Sequence, residues 1–96
     1  METLAYIKDF KNECEKKGII LLLFPPAVAH TEAEANLSYI NWVDSLLQEN
    51  ATPFCTPPNR YVYNDTLFFD TPYHMTKLGV QIRTQQLIQD VDSLLQ

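Results

Sequence analysis

Basic residues are scarce in this chain of 96 residues: seven Lys and Arg face twelve Asp and Glu, for a net charge of -5. No Lys/Arg stripe is present to neutralise phosphates, which argues against a nucleic-acid partner and against an anionic membrane surface. Cysteine is limited to Cys14 and Cys55. They are too few for a disulfide framework and lack the CxxC pairing of a zinc site. Both are expected to be buried, inert thiols, and neither a metal nor a cofactor is implied. The longest apolar run, "IILLLF" from Ile19 to Phe24, is far shorter than the roughly 20 residues that span a bilayer. The opening "METLAYIKDF" has no basic segment leading into an apolar one, so no signal peptide is expected. Repeats, linkers and low-complexity tracts are also lacking. The composition is that of an ordinary soluble protein, 46% hydrophobic and 20% charged, enough apolar material for one small domain over residues 1–96.

Apolar spacing predicts a helix over 3–17, with Leu4, Ile7, Phe10 and Cys14 on one face, lysines in the last turn and Gly18 as its stop. The run 19–24, closed by Pro25 and Pro26, reads as a strand buried on both faces in a parallel sheet. A second helix is expected over 31–50. Thr31 and Glu34 form its capping box, Leu37, Ile40, Val43, Leu46 and Leu47 its inward stripe, and Asn50 its C-cap. Residues 52–56 are a short strand candidate, and 57–67 read as an irregular loop. The last helix starts at Thr76 as N-cap and buries Val80, Leu87, Ile88, Val91, Leu94 and Leu95. Gly79 in its first turn suggests a close backbone approach. The order α-β-α-β-loop-α implies an α/β fold with parallel pairing. Two short strands make a very small sheet, which reads as the end of a larger α/β domain.

The chemistry is concentrated in "FFDTPYHMTKLG", residues 68–79. An Asp that accepts a hydrogen bond from one imidazole nitrogen fixes the ring's tautomer and stabilises the imidazolium. The other nitrogen is then free to act as a general base toward a hydroxyl. Asp70 and His74 lie in a loop after an expected strand end, where α/β folds place reactive groups. The plainer reading is a His that hydrogen-bonds the backbone ahead of a helix. Arg83 is expected to form a structural ion pair with Asp70 or another carboxylate. His30 reads as a solvated loop residue, and Trp42, Tyr61 and Tyr63 as packing residues.

The segment "FFDTPYHMTKLGVQIRTQQLIQDV" resembles the C-terminal block of SGNH/GDSL-type hydrolases, through Phe69, Asp70, Thr71, Tyr73, His74, Met75, Gly79, Arg83 and Thr84. Upstream, "GIILLLFPPA" resembles a late strand of that family that often ends in Pro-Pro. The resemblance covers nearly the whole chain, as the final third to half of such a domain. It implies a three-layer α/β/α sandwich of flavodoxin-like type, and ester hydrolysis or acyl transfer, often on acylated carbohydrates or cell-envelope polymers. His74 would be the general base and Asp70 its orienting acid.

The chain departs from the family in two ways. Asp70 precedes His74 by four residues where three is commoner, and the Gly-Asp-Ser and Gly-x-Asn-Asp blocks are missing. Ser38, Ser45 and Ser93 all fall inside expected helices. "YNDT" at 63–66 lies too late in the order to replace the missing donors. Cys55 is the one other conceivable nucleophile, with no helix start or basic group nearby to lower its pKa. The leading expectation is a C-terminal segment of an ester hydrolase or acyltransferase, inactive alone for lack of its serine. The alternative is a complete, non-catalytic interaction module that self-associates as a homodimer through its sheet edge.

Overall fold

A computed structural model describes residues 2–96. The chain folds as two compact units, one of Met1–Pro25 with Asn36–Arg60, the other of Pro26–Ala35 with Tyr61–Gln96.

In the first unit, helix α1 (Glu2–Lys16) turns Leu4, Ile7, Lys11 and Cys14 inward and leaves Phe10 59% exposed. The stripe therefore runs through Lys11 rather than Phe10. The aliphatic stem of Lys11 is covered while its ammonium donates to the Ala51 carbonyl at 2.5 Å. Gly18 ends the helix as expected, at φ +70°. The Ile19 N–H donates to the Cys14 carbonyl (2.8 Å) and the Gly18 N–H to that of Glu15 (3.2 Å), the two bonds of a Schellman motif.

The expected strands 19–24 and 52–56 do not form. Both stretches are irregular, with Ile19 and Ile20 53% and 71% exposed. The Cys55 N–H donates to the Leu23 carbonyl at 2.8 Å. An apolar strand needs a ladder on its edges, and none forms over these residues ahead of the Pro-Pro stop.

The expected helix 31–50 is divided at Asn36 (φ -119°, ψ 22°) into α2 (His30–Ala35) and α3 (Leu37–Glu49). The Asn36 carbonyl accepts the Ile40 N–H at 2.9 Å and so opens α3. Within α3, Leu47 is buried and Ile40, Val43 and Leu46 half-buried, while Leu37 is exposed. Asn50 caps the end as expected. No capping box forms, because Thr31 lies inside α2 with its hydroxyl turned to Asp65, and Glu34 reaches back to His30 Nε2 at 3.2 Å.

The second unit carries the sheet. Strands β1 (Val28–Ala29) and β2 (Val62–Tyr63) pair in parallel, with Val28 opposite Val62 and Ala29 opposite Tyr63. The fold is a small α/β mixture with a two-stranded parallel sheet. A 3₁₀ turn (Asp65–Leu67) follows, capped by Asn64, whose Oδ1 accepts the Thr66 N–H at 2.9 Å.

Helix α4 (Lys77–Leu94) begins as expected, with the Thr76 hydroxyl accepting the Gly79 N–H at 3.1 Å. Its packing face is as expected in part. The side that packs carries the expected Leu87 and Val91, both half-buried, together with Gly79, Arg83, Gln86 and Asp90, whereas Val80, Ile88, Leu94 and Leu95 are exposed. Two tyrosines bring polar residues onto that face. Tyr61 and Tyr63, spaced to share one side of an extended chain, donate their hydroxyls to Asp90 Oδ2 (2.7 Å) and Gln86 Oε1 (2.5 Å). Buried tyrosines need polar partners for their hydroxyls, so Gln86 and Asp90 share the packed face with Leu87 and Val91.

Candidate functional site

The loop holding Asp70 and His74 is closed at its neck. Phe68 and Met75 form an antiparallel bridge, the Phe69 N–H donates to the His74 carbonyl (3.1 Å), and the Thr76 N–H donates to that of Leu67 (2.8 Å). Inside the loop the Thr71 hydroxyl accepts the N–H groups of Tyr73 (3.2 Å) and His74 (3.1 Å). A Thr hydroxyl that caps backbone N–H groups two and three residues on is a local turn device. The Ala29 N–H donates to the Pro72 carbonyl at 3.0 Å, which ties the loop to the last residue of β1. The loop therefore stands at the carboxyl end of a parallel strand.

This frame brings the predicted pair together. His74 Nδ1 lies 2.7 Å from Asp70 Oδ1. An ionised carboxylate only accepts, so Nδ1 carries the proton and the neutral ring keeps its lone pair on Nε2. Among the described residues Nε2 has no hydrogen-bond partner. The two side chains are 59% and 58% exposed, open to a reacting group from outside. The Phe69 ring, 5.8 Å from that of His74 and tilted by 36°, limits the swing of the imidazole.

An open cleft of about 320 Å³ runs beside the pair, with Ala29, Thr31, Asp65, Phe69, Asp70 and Pro72 among its walls. Asp65, which lies in the expected loop 57–67, is the residue that sequence reasoning missed. Its carboxylate accepts both the hydroxyl and the N–H of Thr31, the latter at 3.0 Å. These bonds, the hydroxyl's first, hold the Asp65 carboxyl below its usual value, with His30 adding a smaller attraction. The bond spans 34 positions, and "YNDT" alone carries no sign of it.

Arg83 does not pair with Asp70. Its guanidinium carbon lies 5.0 Å from the centroid of the Tyr61 ring, and its Nε is buried without a hydrogen-bond partner. Tyr61 is fully buried and Tyr63 half-buried, so both are packing residues as expected. His30 is exposed at the start of α2, and Trp42 is half exposed with its ring 5.8 Å from that of Tyr39.

The described residues bring no serine or cysteine to the pair within its own unit. Ser93 lies in the last turn of α4, about 24 Å along the axis from Lys77 at 1.5 Å per residue. Ser38 and Ser45 are exposed on α3, in the other unit. Cys14 is buried and Cys55 half-buried, both also in that other unit. Comparison of the chain with protein-family models, with curated proteins and with solved structures returned no match.

Proposed function

We propose that this chain is the general-base segment of an SGNH-like ester hydrolase or acyltransferase, and that its serine nucleophile comes from polypeptide outside these residues. The observation that carries the reading is the 2.7 Å bond between His74 Nδ1 and Asp70 Oδ1, on a loop closed at its neck and tied to a strand end. In the reaction, His74 Nε2 takes the proton of the serine hydroxyl as its oxygen attacks the ester carbonyl. Asp70 stabilises the imidazolium that forms, and His74 returns the proton to the leaving alkoxide. Acylated carbohydrates are the substrate class that the resemblance favours. The exposed apolar side chains of α4, among them Leu78, Ile82 and Ile88, suit a helix that a larger three-layer α/β/α sandwich would cover.

The test is ester hydrolysis by the native species, captured from source cells with an antibody to this segment. His74→Ala is expected to lower kcat/KM on an aryl acetate by roughly a thousandfold or more. Equal rates from the two forms would overturn the reading.

The same exposed α4 side chains favour a second reading, a non-catalytic module that self-associates as a homodimer. The outer edge of β1 is already engaged by Pro72. Sedimentation equilibrium decides it: a dimer at micromolar concentration supports this reading, and a monomer opposes it.

A further inference from the structure

Arg83 poses a chemical question that the Asp70–His74 pair does not answer. It sits on the packed face of α4 over the ring of Tyr61. Tyr61 is fully buried and held by its hydroxyl on Asp90, so the platform beneath the guanidinium is fixed. Among the described residues no carboxylate pairs with Arg83, and its buried Nε has no acceptor. A buried N–H without a partner is costly, and in folded proteins such a group calls for a specific explanation. Aromatic stacking offsets part of the charge and supplies no acceptor.

The Nε itself is closed to solvent, so an acceptor from outside meets the terminal nitrogens of the guanidinium. Arg83 lines an open cleft of about 390 Å³ together with Pro26, Ala27, Tyr73, Met75, Val80 and Thr84. Every wall residue lies within the second unit. The walls combine one permanent cation, the hydroxyls of Thr84 and Tyr73 and an otherwise apolar lining. A guanidinium presents its donors as a planar fork that matches a carboxylate. The apolar lining favours an organic acid with a short hydrocarbon stem over a strongly hydrated inorganic anion.

We propose that this cleft binds a small aliphatic carboxylate, its two oxygens on the Arg83 guanidinium and its hydrocarbon stem against Met75 and Val80. The site does not depend on the hydrolase reading, because none of its groups takes part in the Asp70–His74 chemistry. Tyr73 and Met75 flank His74 in sequence, so occupation of the cleft would also be felt by the loop.

The probes are butyrate and its neutral analogue butyramide, titrated into the whole chain carrying ¹³C-methyl methionine. The expected result is a saturable shift of the Met75 methyl with butyrate, at roughly tenfold or more higher affinity than with butyramide. Inorganic phosphate is expected to move the signal weakly. Arg83→Met, which keeps the stem and removes the charge, should abolish the difference between butyrate and butyramide. Arg83→Lys should recover only part of it, because an ammonium has no fork. Equal affinity for the two probes, or no shift with butyrate, would overturn the proposal in the unaltered protein, whatever the variants do to folding. Tighter binding of phosphate than of butyrate would overturn the carboxylate assignment.

Discussion

Gly18 and Ala51 occupy the same place in the same motif. Each is the first residue beyond a helix cap and lies in the left-handed region, at φ +70° and +59°. The bonds also correspond. After α3 the Thr52 N–H donates to the Leu47 carbonyl (3.0 Å) and the Ala51 N–H to that of Gln48 (3.2 Å), as Ile19 and Gly18 do after α1. Glycine takes this conformation freely, while an L-residue with a Cβ is strained there by roughly 1–2 kcal/mol. Ala51→Gly is therefore expected to stabilise the first unit by about 1 kcal/mol. A Cβ at Gly18 meets nothing within 4 Å, so Gly18→Ala should lose a similar amount through backbone strain alone. Urea unfolding of the two variants checks both signs.

Gly79 is required for a different reason, since its φ is that of an ordinary helix. A Cβ there would stand 2.7 Å from the Leu67 carbonyl oxygen and 3.0 Å from the Met75 methyl. That carbonyl is held by the Thr76 N–H and cannot readily retreat. Alanine would gain about 1 kcal/mol in helix propensity. Overpacking against fixed backbone should exceed that gain, for a net loss of about 1–2 kcal/mol on Gly79→Ala. An increase in stability on denaturation would contradict the close approach.

The Thr31–Asp65 tether should weaken in acid. The folded-state pKa of Asp65 is lowered from 3.8 by its bonds from Thr31. Its contribution is thus complete above that ordinary value and is lost as pH falls below it, through the lowered folded value. The carboxylate is exposed, so the expected signal is local: the Thr31 amide resonance shifts through this window while α4 resonances hold. Asp65→Asn should remove the transition. A Thr31 amide that does not respond to acid would contradict the bond.

The Asp70–His74 bond should be visible in the imidazole itself. The neutral ring is expected to carry its proton mainly on Nδ1, read from ¹⁵N shifts of the two ring nitrogens. In free imidazole side chains Nε2 is the usual site, and Asp70→Ala should return His74 to it. A ring protonated mainly on Nε2 in the unaltered chain would deny His74 the free lone pair that a general base needs.

Much of the second unit was legible because its signals are local. Thr76 caps the helix three residues ahead of the N–H it accepts, and Asp70 and His74 are four positions apart on one short loop. The parallel pairing was anticipated, but at other residues. "IILLLF" has the composition of a buried strand, yet strand formation depends on neighbours that local composition does not specify. The strands that do form, Val28–Ala29 and Val62–Tyr63, are too short to show any period. The polar part of the packed face of α4 was hidden for a related reason. Apolar spacing marks Leu87 and Val91 as inward, and both are half-buried, but it also marks the exposed Val80, Ile88 and Leu94, whereas the Tyr61 and Tyr63 hydroxyls bring Asp90 and Gln86 onto that face. Asp65 and Thr31 meet only through the fold.

The most direct test of a general base that serves a serine elsewhere is to find that serine. The native species bearing this segment would be treated with a fluorophosphonate and the modified residue mapped by mass spectrometry. The expected result is one labelled serine outside residues 1–96, with labelling suppressed by His74→Ala. Labelling of Ser38, Ser45 or Ser93, or no labelling at all of a native species of 11.1 kDa, would contradict it.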